Sequence, residues 1–507
     1  MSDKVLLIIR DGRGFSEKEY GNAILKANTP NDDFYIENYP HCLLKCTWND
    51  VGNPEGVQWG SEVWHLTIWA GRVVWQPYEL INQEIKNWWF FQNKVLIGAI
   101  DNCKKNNSDL HISGLFSDQW IHADFLHMFA ILDLCKQQNF DRVFLHLVTD
   151  WRDVPEKSAL KFLEKIEKKI SELNIWKIAS ISGRFYSMDR DNNRDRTLQA
   201  YNAMALWEWF KSDSAKKAIL EAYDRWDKTD YYIKPIVITD ENQVPVWLVK
   251  DKDSFIWYNF RTDRSMQITA IFNWLDYCPL KDFKKVNIHY VCFSQYDDSR
   301  TLPVAFPQLE VENNLWEVLS YNWLKQLRIA ETEKFAHVTF FFNSQKNAVS
   351  KWEERIMVNS PKVDSYDQKP EMSAYELTDK VLEQIWKFDF IVLNYANPDL
   401  VWHSWVFSAV VKACEVVDEC VWKVVKRAQE NWYNVLLMAD HWNAENMLYE
   451  NWEPDSSHGF NPVRLSLISD QNLKLKDGGM KDVAPTVLDL MWIEKPIQMT
   501  GISLIEK

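Results

Sequence analysis

Three aspartates in this sequence directly follow apolar segments of the kind that form buried strands. These aspartates, with the histidines that lie one or four residues after two of them, are Asp11, Asp399, His403, Asp440 and His441. Ser61 lies between Gly60 and Glu62 at the start of a possible helix, and His458 supplies a further imidazole. One candidate nucleophile with two sets of Asp and His ligands is what metal-assisted phosphoryl transfer requires, so we predict that chemistry.

A mixed set of carboxylates and imidazoles suits Mn²⁺, Zn²⁺ or another borderline divalent ion. In a helical turn, the spacing of Asp399 and His403 would place both side chains on one face. Alternatively, each aspartate could merely cap a helix and each histidine could be an ordinary core or surface residue. For any single motif that alternative is the better one, but it explains the whole set poorly.

A second group of residues is cationic. It consists of Arg152, Arg184, Arg190, Arg194, Arg196, Arg261 and Arg264, with Asp153 beside the first of them. Arginine forks bind phosphate and carboxylate groups with two parallel hydrogen bonds. The aspartates interleaved at 189, 191 and 195 favour simple ion pairs for part of this run. Arginine clusters in an otherwise acidic protein still indicate a small, multiply charged anion as ligand.

The elements that must position these residues alternate along the chain, which predicts parallel βαβ units. The predicted strands cover residues 5–9, 142–148, 177–182, 337–342, 390–394 and 435–438. The predicted helices cover residues 129–138, 155–173 and 406–430, with a further helix opening at the capping box 373–376. Turn residues at 302–307 indicate a domain boundary.

Composition limits the possible partners and compartments. The 507 residues predict two or three domains, and a net charge of -14 argues against nucleic acid or an anionic membrane as partner. No apolar run approaches the roughly 20 residues of a membrane span. Eight cysteines without CxxC spacing predict reduced, buried thiols, so we expect a cytoplasmic protein.

Glycine is rare and tryptophan is frequent. The chain has 14 Gly and 27 Trp, and no glycine occurs between Gly183 and Gly459. Glycine normally makes up about 7% of residues and supplies many tight turns and helix ends.

The motifs resemble those of cofactor-independent phosphoglycerate mutases, a family of the alkaline phosphatase superfamily. The resemblance is nearly full length and is carried by the strings VLLIIRDG, SEVWHL, SDQWIHAD, DWRDVP, GRFYSMDRDN, NFRTDR, NYANPDLVWHS and ADHWNAE. It implies an α/β fold in which residues 1–75 and 311–507 form an alkaline-phosphatase-like, parallel-sheet phosphatase domain. Residues 76–310 would form an inserted α/β phosphotransferase domain, and closure of the two domains would exclude water.

The same resemblance implies a role for each matching residue. One metal would be held by Asp399, His403 and His458, and the other by Asp11, Ser61, Asp440 and His441. Ser61 would accept the phosphoryl group, Asp153 would shuttle the hydroxyl proton and Lys334 would stabilise the transferring charge. The substrate would be bound by Lys334 together with His122, Arg152, Asp153, Arg184, Arg190, Arg261 and Arg264.

The expected reaction interconverts 3-phosphoglycerate and 2-phosphoglycerate in glycolysis and gluconeogenesis. We expect two divalent metal ions, Mn²⁺ in particular, no 2,3-bisphosphoglycerate, and a monomer. A metal-dependent phosphatase or a phosphopentomutase would use the same metal site, but the arginine-containing motifs favour the mutase. A catalytically dead binding protein is a further alternative, and the retention of Ser61 and all predicted ligands argues against it.

The sequence departs from the family pattern mainly at glycines. Gly60 stands where the family usually has Asn, and SDQWIHAD and FFFNSQ each replace a glycine pair. Tryptophan stands at family glycine positions, most clearly Trp59, Trp64, Trp69, Trp120, Trp151, Trp402, Trp442 and Trp492. We hypothesise that the source organism reads UGA codons as glycine, whereas the sequence is written with tryptophan. A genuinely Trp-rich variant is the alternative.

Overall fold

The computed structural model describes residues 3–53, 62–173, 176–225, 227, 229–275, 283–296, 301–307, 311–343, 348–448 and 461–506. Two predicted site residues, Ser61 and His458, lie outside this part of the chain. The chain divides into two compact units. Unit 1 comprises Met1–Gln76 and Glu310–Lys507, and unit 2 comprises Pro77–Leu309.

Both units combine helices with largely parallel sheets, which confirms the α/β class. The strands are β1 (Lys4–Arg10), β2 (His41–Lys45), β3 (Leu110–Leu115), β4 (Val143–Thr149), β5 (Trp176–Gly183), β6 (Phe210–Ser212), β7 (Ile236–Ile238), β8 (Ser254–Trp257), β9 (His289–Cys292), β10 (Gln326–Glu331), β11 (Glu353–Val358), β12 (Phe390–Tyr395), β13 (Tyr433–Met438), β14 (Val463–Ile468) and β15 (Gly478–Gly479).

The α-helices are α1 (Ala23–Lys26), α2 (Pro30–Asn38), α3 (Glu62–Ala70), α4 (Pro77–Lys86), α5 (Lys94–Asn106), α6 (Phe125–Gln137), α7 (Ala159–Leu173), α8 (Arg184–Ser187), α9 (Arg194–Ala205), α10 (Ala215–Asp224), α11 (Met266–Asn273), α12 (Leu315–Tyr321), α13 (Thr332–Val338), α14 (Ala374–Gln384), α15 (Asn397–Trp402), α16 (Phe407–Glu430) and α17 (Val483–Leu490). Short 3-10 helices cover Trp48–Asp50, Phe90–Gln92, Asp230–Tyr232, Tyr366–Gln368, Ile385–Lys387 and Met480–Asp482. None of the described helices is long and apolar enough to cross a membrane.

The sheet of unit 1 has the order β11-β10-β12-β1-β13-β14-β2-β15. Its central strand β1 pairs in parallel with β12 and β13, and residues 5–9 of β1 are completely buried. A strand covered on both faces needs the continuous apolar run that the sequence shows there. Because parallel strands end at one edge of a sheet, β1, β12 and β13 bring the residues that follow them together.

The sheet of unit 2 has the order β6-β7-β5-β4-β3-β8-β9. All neighbouring strands in it are parallel except β5 and β7. The segments that follow β4, β5 and β8 carry the arginine motifs.

Most of the predicted elements are confirmed within a few residues, but the strand predicted at 337–342 is wrong. Those residues form the end of α13 and the turn after it, and the strand in this region is β10. All six residues of β10 are buried although Gln326, Arg328 and Glu331 are polar. The hydropathy pattern therefore placed the strand in the more apolar segment that follows, at residues 337–342.

The helix predicted to open at Ser373 is confirmed, but the capping box is not formed. Ser373 occupies the N-cap position without a side-chain cap. Its hydroxyl instead donates to the carbonyl of Asn359 at 2.8 Å, and its N–H donates to Glu331 at 3.0 Å. The described cysteines are buried, as predicted.

Tryptophan dominates the strained backbone positions of the described chain. Positive φ occurs at 16 described residues other than glycine, and nine of these are tryptophan. They are Trp48, Trp88, Trp207, Trp209, Trp274, Trp323, Trp405, Trp432 and Trp492. A bulky residue in the left-handed region is a genuine outlier, because its Cβ crowds the backbone.

Two of these tryptophans end different helices with the same type of hydrogen-bonded motif. After α12, the N–H of Trp323 donates to Ser320 at 3.1 Å and that of Leu324 donates to Leu319 at 3.1 Å. After α17, Trp492 makes the corresponding bond to Asp489 at 3.1 Å. These bonds define the helix C-terminus whose left-handed residue is usually glycine.

Candidate active site

Asp11 is the first residue after β1, and its side chain is completely buried in unit 1. The amide of Asn394 donates to its Oδ2 at 2.8 Å. Lys334 Nζ lies 2.7 Å from its Oδ1, and His441 Nε2 lies 3.1 Å from the same oxygen. One carboxylate oxygen is thus shared by two candidate cationic groups.

Asp399 lies in the first turn of α15, shortly after the neighbouring strand β12. Its Oδ2 lies 2.6 Å from Lys334 Nζ, and its Oδ1 accepts a 2.5 Å hydrogen bond from the amide of Asn443. His403 follows one helical turn later, with Nε2 at 3.6 Å from Asp399 Oδ1. The His403 side chain is more than half exposed, whereas Asp399 is buried.

Asp440 and His441 follow β13 and are both buried. Asp440 Oδ1 accepts a hydrogen bond from the N–H of Gly12 at 3.2 Å. Its Oδ2 lies 3.5 Å from His441 Nε2 and 3.5 Å from Nδ1 of His65, a buried residue of α3. His65 was not predicted from the sequence, because nothing in its spacing links it to residue 440.

The cluster is strongly acidic and attracts positive charge. Burial alone would raise the pKa of Asp11, but the charge of Lys334 and the hydrogen bond from His441 hold that pKa well below its usual value. Burial and the charge of Asp11 raise the pKa of Asp440. Burial would lower the pKa of His441, but Asp440 and Asp11 raise it to about 10. Burial also opposes the charge on Lys334, and Asp11 and Asp399 outweigh it to raise that pKa.

The donor atoms fit a divalent metal ion. Asp11, Asp399 and His441 each offer a ligand atom, and these atoms lie within 4.8 Å of one another. Asp11, His65 and Asp440 form a second such group. Carboxylate oxygens and imidazole nitrogens are the ligands of borderline divalent ions, and three neighbouring carboxylates supply the negative charge that such an ion requires. Asp11 belongs to both groups, so these sets differ in part from the two sets implied by the resemblance.

Tryptophan side chains crowd this cluster. The ring of Trp64 lies against that of His441, with centroids 4.7 Å apart, and meets Trp442 edge to face at 5.4 Å. Trp402 is buried, and its ring lies 5.0 Å from that of His403. Three large rings therefore occupy space beside predicted metal ligands.

The predicted cationic residues of unit 2 form ion pairs with neighbouring carboxylates. Arg184 is completely buried, and its Nη1 lies 2.6 Å from Asp150 and 2.6 Å from Asp153. Asp150 also accepts a hydrogen bond from the N–H of Arg152 at 3.0 Å. Asp150 was missed in the sequence, although it follows the buried strand β4 as Asp11 follows β1.

Asp263 joins three further predicted substrate-binding residues. It lies 2.8 Å from Arg190, 3.1 Å from Arg261 and 3.8 Å from His122. Burial and the charge of Arg184 lower the pKa of His122 to about 3, so the imidazole is neutral at pH 7.

Arg264 belongs to the same region. It is buried and donates to the carbonyl of Met188 at 3.0 Å. Burial lowers its pKa, and the charges of Arg184 and Arg190 lower it further. The Arg152 side chain, by contrast, is exposed. The structure thus places Arg184 between Asp150 and Asp153, and it gathers Arg190, Arg261 and His122 around Asp263.

Comparisons with known proteins agree on one family. Residues 81–298 match the family model described as the BPG-independent PGAM N-terminus. The chain is 46% identical to the 2,3-bisphosphoglycerate-independent phosphoglycerate mutase of Acetivibrio thermocellus, over 100% of both chains. It is 43% identical to the enzyme of the same name from Staphylococcus saprophyticus, over 98% of both.

A solved structure agrees with these relatives. The fold is similar to that of Leishmania mexicana phosphoglycerate mutase, crystallised at low cobalt concentration, with a TM-score of 0.60 and 26% identity. That similarity covers 100% of this chain and 98% of the other. Identity above 40% along the whole chain, together with this fold, shows that the chain is an enzyme of the 2,3-bisphosphoglycerate-independent phosphoglycerate mutase family.

Proposed function

We propose that this isomerase interconverts 3-phosphoglycerate and 2-phosphoglycerate through a phosphoserine at Ser61. The observation that carries the proposal is the buried cluster of Asp11, Asp399, Asp440, His441 and Lys334 in a chain of this family. The phosphoryl group passes from the substrate hydroxyl oxygen to the Ser61 oxygen, leaving glycerate. The other glycerate hydroxyl then attacks the phosphoserine, and Ser61 is regenerated.

The metal ligands proposed for unit 1 are Asp11, Ser61, Asp440 and His441 for one ion, and Asp399, His403 and His458 for the other. We propose Mn²⁺ as the ion. When bound, such ions activate the serine hydroxyl and neutralise the charge of the transferring phosphoryl group. Lys334 adds a fixed positive charge beside Asp11 and Asp399, where its ammonium group can stabilise the phosphoryl oxygens.

The proposed substrate ligands are His122, Arg152, Asp153, Arg184, Arg190, Arg261 and Arg264, together with Lys334. Arginine forks suit the carboxylate and phosphate groups of a phosphoglycerate. Asp153 accepts the proton of the attacking glycerate hydroxyl and returns it to the leaving oxygen. Its Oδ2 lies 2.6 Å from Nη1 of the buried Arg184, and this ion pair holds the carboxylate in place. We expect the enzyme to act as a cytoplasmic monomer without 2,3-bisphosphoglycerate.

We further propose that many of the tryptophans are glycine in the natural protein, because its source reads UGA as glycine. The nine tryptophans at positive φ support this proposal, since glycine takes that conformation without steric cost. Trp247 differs from them. Its ring stacks on Phe144 with centroids 4.8 Å apart, and its Nε1 donates to Asp109 at 2.5 Å. We therefore expect tryptophan to be authentic at 247 and glycine to occupy 323, 432 and 492.

Peptide mass spectrometry of the protein from its source tests this assignment directly. Peptides that contain glycine at 323, 432 and 492 and tryptophan at 247 are the expected result. Tryptophan at all four positions would refute the recoding proposal.

The activity is tested on the full-length protein in two forms. One has the sequence as written, and the other has glycine at the eight tryptophan positions that match family glycines. Conversion of 3-phosphoglycerate is measured with Mn²⁺ and without bisphosphoglycerate, with chelator and Ser61→Ala as controls. We expect turnover by the glycine form, and none with chelator or in the Ser61→Ala variant. Release of inorganic phosphate without 2-phosphoglycerate would instead identify a phosphatase.

A further inference from the structure

The loop that carries Asp11 is a tight four-residue turn. The N–H of Arg13 donates to the carbonyl of Arg10 at 3.2 Å, and Gly12 has φ +72°. A positive φ at the third position of such a turn strongly favours glycine. A Cβ on Gly12 would also lie 2.9 Å from the Cα and Cβ of Asp399. The shape of this turn therefore sets the position of Asp11 relative to both Asp399 and Asp440, which accepts the N–H of Gly12.

A single carboxylate connects the two ends of this turn. Asp32 Oδ1 lies 2.5 Å from Arg10 Nη1, and Asp32 Oδ2 lies 2.7 Å from Arg13 Nη2. All three side chains are at least nine-tenths buried. Buried, charge-assisted hydrogen bonds of this kind are short and geometrically specific. Asp32 thus bridges the residues on either side of Asp11 and Gly12 without contacting Asp11.

Asp32 is itself fixed by a different part of the fold. It lies in the first turn of α2, whose N-terminal N–H groups at Asn31 and Asp32 donate to Asp418 of α16 at 3.2 and 2.8 Å. The side-chain amide of Asn31 donates to Asp418 as well, at 2.8 Å. A continuous series of hydrogen bonds therefore runs from α16 through the start of α2 to the turn that carries Asp11.

Asp32 also compensates the positive charge of two buried guanidinium groups, those of Arg10 and Arg13, next to the acidic cluster. Without it, Arg10 and Arg13 would each lose their closest carboxylate partner while remaining buried. An uncompensated buried charge is costly, so the turn would rearrange to find a new partner or solvent. Any such rearrangement moves Asp11.

We propose that Asp32 is a positioning residue that holds Asp11 in the geometry needed to bind the divalent ion. This inference rests on the proposed function of Asp11 as a metal ligand. Asp32 acts through Arg10 and Arg13, which fix the two ends of the turn, and is not a ligand itself. Residues that orient metal ligands typically change metal affinity or activity by about 10- to 100-fold when they are replaced.

The test measures Mn²⁺ binding to the full-length protein by electron paramagnetic resonance of free Mn²⁺. We expect Asp32→Asn to weaken binding at the Asp11 site by about tenfold or more, and excess Mn²⁺ to restore part of the lost activity. Asp33→Asn is the matched control, because Asp33 lies in the same turn of α2 but is exposed. Arg13→Gln breaks one of the two contacts and serves as a second variant if Asp32→Asn does not fold.

A double-mutant cycle separates positioning from general stabilisation. In an Asp11→Asn background, Asp32→Asn should have no further effect on Mn²⁺ binding. Equal effects in both backgrounds, or unchanged binding in Asp32→Asn and Arg13→Gln, would overturn the inference. If Asp11→Asn alone leaves Mn²⁺ binding unchanged, the proposed function of Asp11 fails first, and the inference falls with it.

Discussion

The ammonium group of Lys334 lies 2.6 Å from Oδ2 of Asp399, and both side chains are buried. The same ammonium group lies 2.7 Å from Asp11, so one cation joins the residues that follow two neighbouring strands. A lysine in this position balances part of the carboxylate charge in the absence of metal and remains as a fixed positive charge when metal is bound.

Replacing Lys334 with methionine should therefore separate these two contributions. Removing one partner of a buried ion pair typically costs about 3–5 kcal/mol, so metal-free Lys334→Met should lose stability of that order. Bound Mn²⁺ should restore more stability to the variant than to the parent, because the carboxylates then regain a cation. Mutase activity should fall by at least about 100-fold even with metal bound.

The measurement is urea unfolding of the full-length protein with chelator and with Mn²⁺, beside the steady-state rate. Lys412→Met is the control, because Lys412 is exposed and pairs with Glu415 at 3.4 Å on the same helix. An exposed pair of this kind contributes roughly 0–1 kcal/mol. Equal stability of metal-free Lys334→Met and its parent would contradict the assigned charge balance.

Asp150 should matter for substrate binding although it carries no proposed contact with substrate. Its carboxylate holds the buried Arg184 at 2.6 Å, and a neutral amide would hold that guanidinium group less strongly. Asp150→Asn should raise KM for 3-phosphoglycerate by about tenfold, equivalent to about 1.4 kcal/mol, while kcat changes little. Steady-state kinetics measure both, with the exposed Asp141→Asn as control. A fall in kcat at constant KM would assign Asp150 to the chemical step instead.

A strand or a site residue could be predicted wherever the evidence for it lies within one short segment of sequence. The apolar run of β1 predicted a buried strand, and the position of Asp11 at its end predicted a ligand. The strand β10 was missed because its buried residues include Arg328, whose guanidinium group packs 3.5 Å from the centre of the Phe342 ring. Tertiary contacts, which hydropathy does not record, compensate this polar residue.

Contacts between side chains of separate segments could not be predicted from the sequence. His65 reaches Asp440 across 375 positions of sequence, and Asp32 reaches Arg10 across 22. A histidine inside an apolar helix and an aspartate in a helical first turn each have ordinary structural explanations. Only the fold shows which carboxylate or imidazole lies within bonding distance.

The recoding proposal predicts an unusual response to mutation of the chain as written. Trp492→Gly should stabilise that chain by about 1 kcal/mol, because a left-handed conformation costs an L-residue roughly 1–2 kcal/mol and glycine very little. Trp247→Gly should destabilise it by about 2 kcal/mol or more, because it removes the stacked ring and the bond to Asp109. Urea unfolding of the two variants measures both effects. Similar losses in both would mean that the positive φ at Trp492 carries no strain.

A buried histidine of unit 2, His127, predicts that the protein loses stability in mild acid. Burial lowers the pKa of His127 to about 3, and its Nε2 donates to Asn82 at 2.9 Å in the neutral tautomer. The folded state therefore stays neutral at His127 while the unfolded state takes up a proton below its ordinary pKa of about 6.5. The stability that His127 contributes is complete above pH 6.5 and is lost progressively as the pH falls towards 3. At pH 5 the loss amounts to about 2 kcal/mol.

Replacing His127 with glutamine, which keeps an N–H donor, should remove this loss. Between pH 7.5 and 5.0, the parent should therefore lose about 2 kcal/mol more of its free energy of unfolding than His127→Gln does. Urea titrations of the full-length protein at the two pH values measure the difference. His41→Gln is the control, because His41 is exposed on β2. Parallel losses in His127→Gln and its parent would show that His127 takes up its proton in the folded state as readily as in the unfolded chain.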